Sequence, residues 1–318
     1  MSELAQTFDA KAKPLKKWGR IPKRAHDIPK EDGCTFLTAA EKGDIAAVTQ
    51  MLDKYGAKIL EIKERDGYNN KGYITGTSDS YTALMHAVAN GHRDIANLLL
   101  DRGADIHARS DGGYTVLTLA VDEDHNLADL VLDRGADIEA RNDAGETALM
   151  FPQTAESLKY LLSRGADLNA VNPAGENTLM MISSDTYLHR KHLRPSSGME
   201  VLLDAGINID ARDKKGNTAL MIAAERTVYD EDTPDKLACL VKRGANPVLR
   251  DAEGNTAVMM AQRERPELID NKQQQNAMVA LLEQAMQDWQ AKEVDICNTG
   301  SPGSIAIRSP LQYRKPAA

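Results

Sequence analysis

One segment of the chain keeps returning. Gly103-Ala-Asp-Ile-His-Ala-Arg109 recurs as Gly135-Ala-Asp-Ile-Glu-Ala-Arg141, and in looser form in the stretches that begin at Gly165, Gly206 and Gly244. A second glycine follows each of these ten residues later, at Gly113, Gly145, Gly175, Gly216 and Gly254. Next comes a Thr-x-Leu-like start: Thr115-Val-Leu, Thr147-Ala-Leu, Asn177-Thr-Leu, Thr218-Ala-Leu and Thr256-Ala-Val. An apolar stretch and a Leu-Leu pair then lead to the next copy. A unit this short cannot bury its own apolar face, so copies must stack and share one continuous core.

The local chemistry of the unit follows from its punctuation. Glycine after a Leu-rich run sits where a helix end needs a left-handed residue. The second glycine sits in an Asp/Asn-x-x-Gly tetrad, which signals a turn. The following Thr is suited to cap a helix N-terminus with its hydroxyl. Small residues such as Ala87, Ala120, Ala223 and Ala224 let two short helices approach closely. Each unit therefore reads as hairpin, helix, turn, helix. Stacking also removes an oddity of composition. The chain has 318 residues, long for one globular core, yet only 4% are aromatic. A thin aliphatic layer, helped by 12 Met, replaces a ring-rich centre.

These residues resemble the ankyrin repeat, whose pattern runs Asp-x-x-Gly-x-Thr-Pro-Leu-His and later Leu-Leu-x-x-Gly-Ala-Asp. The resemblance covers about residues 34–286. The family's Pro is Ala83, Ala148, Ala219 and Ala257 in most copies. Its His is replaced by Met85, Met150, Met180, Met221 and Met259, and by Thr118 in one copy, so apolar packing is expected where the family has a hydrogen bond. The resemblance implies an all-α-dominated repeat solenoid of stacked helix-turn-helix units joined by β-hairpin fingers. About seven units are counted. The first, near 34–56, is an N-terminal cap without its own hairpin. Five more start near Tyr81, Gly113, Gly145, Gly175 and Gly216, and the last, from Gly254, ends in a capping helix at about 272–291. The expected organisation is a basic, Pro-interrupted arm at 1–33, the repeat domain at 34–291, and a disordered tail at 292–318.

Some copies depart from the pattern. The first finger carries about 14 extra residues within Glu61–Ser80. The fifth unit has an excess at Ser184–Ser197, which includes His189 and His192, and the sixth has an acidic excess around Val228–Pro234. His189 and His192 share a helical spacing but no third ligand is identifiable, so no metal site is expected. The fourth unit is short, and Pro152 predicts a shortened or distorted first helix. His86, His107 and His125 are placed at surface or turn positions without a chemical role.

Charge excludes one class of partner. The formal charge is −8, but residues 1–30 carry +5 and residues 296–318 carry +3, leaving −16 on the stretch between. An acidic array of that kind is a poor holder of phosphates, so nucleic acid is not an expected partner. No apolar run is long enough to span a bilayer, and the basic N-terminus lacks the apolar stretch of a secretory signal. Cys34, Cys239 and Cys297 lie far apart and build neither a disulfide framework nor a CxxC site. Phosphate-loop, nucleophile-elbow and zinc-helix motifs are all missing.

The resemblance implies a non-enzymatic module, without cofactor, that binds a partner protein along the concave face of the array. The family's variable positions carry over to Tyr81, Asn90, Tyr114, Asp122, Glu146, Glu176, Lys214, Lys215, Asn217, Glu225 and Arg226. Two tyrosines in adjacent fingers stand out in a chain so poor in rings, because rigid aromatic anchors dominate interface energies. The acidic body is expected to prefer a partner with a basic or neutral surface. A cytoplasmic monomer is expected. A bacterial effector exported to a host cell, still acting by binding, is the alternative. An enzyme or small-molecule site in the inserted loops ranks below both.

Overall fold

In the computed structural model of the chain, the described residues are 28–63, 80–123, 125–150, 154–184, 195–225, 233–263 and 272–299. The stretch divides into two compact units, Met1–Asp137 and Ile138–Ala318. The first contains α1 (Lys30–Lys42), α2 (Ile45–Tyr55), a 3-10 turn at Gly56–Glu61, α3 (Ala83–Ala89), α4 (Arg93–Asp101), α5 (Val116–Glu123) and α6 (His125–Asp133). Helices α1, α3 and α5 form one row, α3 packing on both others, and each packs on the helix that follows it. Burial follows the apolar register. Ile95, Ala96 and Leu99 of α4 are buried, as are Leu127, Ala128 and Val131 of α6 at the matching positions.

The second unit opens with a 3-10 turn at Ala148–Met150, followed by α7 (Ala155–Ser163), α8 (Thr178–Ser184), α9 (Pro195–Asp204), α10 (Ala219–Glu225), α11 (Thr233–Lys242), α12 (Ala257–Ala261) and α13 (Lys272–Thr299). Helix α10 sits between α8 and α12, and α9 between α7 and α11. The three-residue turn stands where other units have a first helix, the shortening that Pro152 predicts. Buried Ala120, Ala223 and Ala224 allow the close helix approach expected of them. Lys236 takes the buried position that is Ile95 in α4 and Leu127 in α6, and is only 1% exposed.

The helix starts are built as the sequence suggests. Thr82, Thr115, Thr218 and Thr256 accept the amides of Met85, Thr118, Met221 and Met259. In the fifth copy Asn177 caps Met180 through Oδ1 at 3.0 Å. Each such cap contributes about 1 kcal/mol. Within each unit, charged rungs join successive repeats: Asp53 to Arg102, Asp101 to Arg134, and Asp204 to Arg243. Such exposed pairs are worth about 0–1 kcal/mol each. At the start of α1, Lys54 and Tyr55 both donate to Asp32, with the Lys54 ammonium 4.9 Å from the Tyr55 ring centroid. The hydrogen bonds from Lys54 and then Tyr55 hold the Asp32 carboxyl below its ordinary range.

Several expectations are refined. The fingers are tight turns: among the described residues the β-pairing is two isolated bridges, Lys63 with Thr82 and Arg109 with Thr115. A five-residue loop closed by two backbone bonds has no length left for a ladder. Met85, Met150, Met180 and Met221 are buried, but Met259 is 47% exposed, α12 being the last inner helix among the described residues. His86 is not at the surface; it is buried in α3. Helix α13 runs to Thr299, past the boundary at 291, and caps the last repeat by burying Met278 and Leu282. Its Gln275 donates Nε2 to the Ala261 carbonyl at 2.7 Å, satisfying an end of α12. The arm before residue 28, residues 64–79, the pair His189 and His192, residues 226–232, and the tail from residue 300 lie outside the described residues.

Candidate interaction surface

The finger turns share one backbone design. In each, the glycine amide bonds back three residues, as Gly145 to Asn142 at 2.9 Å and Gly216 to Asp213 at 3.0 Å. The first residue of the turn then donates its own amide to the carbonyl of the residue after the glycine, as Asn172 to Glu176 at 3.0 Å. The glycine has a positive φ, +84° at Gly175 and +82° at Gly216, which an L side chain adopts only under strain.

The side chains that close these loops differ between the two units. In the second unit four turns carry a reciprocal knot of one amide and one carboxylate. Asn142 accepts the Glu146 amide at 2.8 Å and donates Nδ2 to Glu146 Oε2 at 2.9 Å. Asn172 does the same with Glu176, at 3.0 and 2.7 Å. The roles then exchange. Asp213 accepts from the amide and the side chain of Asn217, at 2.8 and 3.0 Å, and Asp251 from those of Asn255, at 2.7 and 2.9 Å. Burial of Asp251 would raise its pKa, but the bonds from Asn255, Glu253 and Gly254 outweigh it and leave the carboxyl below its ordinary value. In the first unit the corresponding turn starts at Ser110, whose hydroxyl accepts the Tyr114 amide at 3.1 Å. Serine brings this amide a single oxygen, where Asn or Asp brings two polar atoms.

The same chain position therefore does two jobs. In the first unit it is Tyr81 and Tyr114, both half-buried, and the Tyr81 ring meets the edge of the His86 ring with centroids 5.5 Å apart. Burial holds the His86 imidazole below its usual pKa, with nearby Glu41 pulling the other way. Asn90 ends α3 and is exposed, donating Nδ2 to the His86 carbonyl at 2.8 Å. Asp122 lies in α5. In the second unit the same position is Glu146, Glu176 and Asn217, each engaged in its own turn, and Glu146 is only 6% exposed. Those three serve the turn first. Lys214 and Lys215 are exposed at a turn tip, Glu225 ends α10, and Arg226 lies outside the described residues. The structure thus groups Tyr81 with His86 and Asn90 in the first unit, and Lys214 with Lys215 and Asn217 in the second.

Adjacent fingers of the second unit are also bonded to one another, which the sequence pattern did not reveal. The Lys214 amide donates to the Ala174 carbonyl at 2.9 Å, and the Ala252 amide to the Lys215 carbonyl at 2.8 Å. At the matching place in the preceding finger stands Pro173, which has no amide hydrogen, and its ring lies against Gly145 instead. Arginines strap the row: Arg141 reaches the Val171 carbonyl and Arg212 the Arg250 carbonyl, each at 2.7 Å. Among the described residues no group of three or more His, Cys, Asp or Glu is placed to hold a metal, and no helix is long and apolar enough to cross a membrane.

Comparison with known proteins agrees with this architecture. Residues 74–120 match the family model of ankyrin repeats in many copies. The 2-5A-dependent ribonuclease of Mus musculus is 36% identical over 90 residues, which are 28% of this chain and 10% of that protein. An ankyrin repeat-containing protein of Treponema pallidum (strain Nichols) is 35% identical over 110 residues, 28% of this chain and 37% of that one. The chain thus spans much less than two thirds of either relative. Among solved structures, the ankyrin repeat domain of Bcl-3, a member of the IkappaB family, is similar with a TM-score of 0.53 and 24% identity, over 74% of this chain and 95% of that domain. That likeness fixes the fold as an ankyrin repeat fold, and the match of residues 74–120 to the ankyrin repeat model agrees with it.

Proposed function

We propose that this chain is a non-enzymatic binding module whose first unit recognises a partner protein. Ankyrin repeats are in general protein–protein interaction modules, and the finer reading rests on one observation. The position after the finger turn is tied into a knot of hydrogen bonds in the second unit, but carries Tyr81 and Tyr114 in the first. Half-buried tyrosines, with exposed Asn90 at the end of α3, offer rigid anchor area and a polar group in one unit. The partner surface is basic or neutral, and association weakens with salt. The protein acts as a monomer in the cytoplasm, export to a host cell being the alternative.

The test uses a partner captured on the intact chain and then purified. Replacing Tyr81 and Tyr114 by Ala is expected to weaken its affinity by at least tenfold while the thermal midpoint moves little. Unchanged affinity with an intact fold would sink the proposal. Fractionation of the source cells checks the place of action.

A further inference from the structure

Within the second unit, the finger tips present a surface of their own. The backbone bond between Lys214 and Ala174, and the 3.0 Å that a Gly175 side chain would leave to the Lys214 amide, place two fingers in direct contact. One tip is apolar. Val171 is 45% exposed at a position that is Arg109, Arg141, Arg212 or Arg250 in the other copies, and exposed Pro173 and Ala174 follow it. The neighbouring tip is basic, with Arg212, Lys214 and Lys215 exposed.

What matters is how the charges on these fingers are used. Asp213 and Asp251 give their carboxylates to turn amides and to Asn217 and Asn255. Glu176 takes the Asn172 amide, and Glu253 faces Arg263 at 3.7 Å. The cations are not consumed in the same way. Lys214 and Lys215 use only backbone atoms in their bonds, and among the described residues their ammonium groups meet no carboxylate. Arg212 and Arg250 bond carbonyl oxygens, which orients the guanidinium groups, and Arg212 also feels the charge of Asp210. Two lysine ammonium groups that meet no carboxylate, with an oriented guanidinium beside an exposed apolar step, suit a carboxylate-rich chain that also carries an aliphatic side chain. No aromatic ring stands in these four turns to stack a base.

We propose that the tips at 171–174 and 212–215 form a docking site for an acidic peptide segment of a partner protein, its carboxylates on Lys214, Lys215 and Arg212 and an aliphatic residue on Val171 and Pro173. The site rests on the reading of the chain as a protein-binding module, and assigns it a second surface of opposite charge preference. Binding here does not use the tyrosines of the first unit.

Fluorescence anisotropy tests this on the full chain with a labelled octapeptide of six glutamates and two central leucines. Saturable binding is expected, weakened at least tenfold by K214E/K215E and less by K214Q/K215Q. It also falls severalfold when the leucines become serines or salt rises from 50 to 300 mM. The reversal K159E/K242E changes net charge equally at exposed sites on α7 and α11 and is expected to leave affinity unchanged. The proposal is overturned by no binding up to millimolar peptide, or by equal losses from the two charge reversals. It is also overturned by equal binding of a lysine-for-glutamate peptide, or by tighter, Lys214- and Lys215-dependent binding of a twelve-nucleotide oligo-dT. Y81A/Y114A is expected to leave the peptide untouched, so its outcome reads the tyrosine surface separately.

Discussion

The two units solve the finger turn in different ways. In the second, each turn spends two side chains on itself: Asn142 with Glu146, Asn172 with Glu176, Asp213 with Asn217, Asp251 with Asn255. In the first, Ser110 supplies the acceptor alone and position 114 is a tyrosine. One unit puts the position into local order, and the other keeps it for an aromatic side chain. Variability at a repeat position is therefore not evidence of recognition until the turn's own hydrogen bonds have been counted.

The largest expected effect tests whether the second unit's fingers are bonded into a row. Gly216 has φ +82°, and a Cβ there would stand 2.9 Å from the Ala252 amide nitrogen, a backbone atom that cannot swing aside. Gly103 in the first unit has φ +90° with open space around it. Gly216→Ala should cost about 3 kcal/mol, combining backbone strain with displacement of the next finger. Gly103→Ala should cost about 1–2 kcal/mol from strain alone. Urea unfolding followed by circular dichroism measures both; equal losses would mean that the fingers do not support one another.

Exchange of the turn chemistry should produce the next largest change. Glu176→Tyr gives the second unit the residue of the first and leaves the Asn172 amide, itself only 9% exposed, without its carboxylate. A loss of about 1–2 kcal/mol is expected. The reverse transplant, S110N/Y114E, builds a knot in the first unit and should add about 1 kcal/mol while removing partner binding. Thermal denaturation together with the partner-affinity assay separates the two readouts. If the transplant leaves stability unchanged and binding intact, the two turns are interchangeable and the contrast between the units fails.

How much of this was legible in the sequence follows from what a repeat encodes. Glycine spacing, the Thr caps and the small residues are covalent and local properties, so the stacked helices and the caps at Thr82 and Thr218 could be read directly. The knots were legible in principle. Each pairs one amide with one carboxylate four residues apart, and the exchange from Asn and Glu to Asp and Asn preserves that complement. Reading one position at a time hides it: the repeat pattern points to Glu146 for recognition, and the structure buries its side chain in the turn. The burial of His86 and the exposure of Met259 depend on which unit stands next, and no local pattern carries that. The contact between fingers at Gly175 and Lys214 joins residues 39 positions apart and is likewise beyond a local reading.

The smallest effects are electrostatic, and two aspartates of the second unit should move in opposite directions. Burial raises the Asp210 pKa, and the Asn246 amide and Arg212 only partly offset it. A raised folded pKa means that this stabilising contribution is full below the unfolded value of about 3.9 and lost as pH rises through the folded pKa. At pH 7 the Asp210 charge therefore costs stability. Asp210→Asn keeps an acceptor for the Asn246 amide, at 2.9 Å in the native pair, and should stabilise by under about 1 kcal/mol at pH 7 and by nothing at pH 3. Asp251 has the opposite sign: its hydrogen bonds outweigh burial, so its contribution is present above about pH 3.9 and lost as pH falls through the lower folded pKa. Asp251→Asn should thus destabilise at pH 7, both by losing the charge and by setting its amide against that of Asn255, and the difference should shrink in acid. Adding Asn255→Glu recreates the Asn142–Glu146 form of the knot and should restore stability at pH 7. Chemical denaturation of the four proteins at pH 3 and pH 7 checks the signs. No recovery in D251N/N255E would show that the exchanged amide and carboxylate are not equivalent, and that the turns of the second unit are not one design.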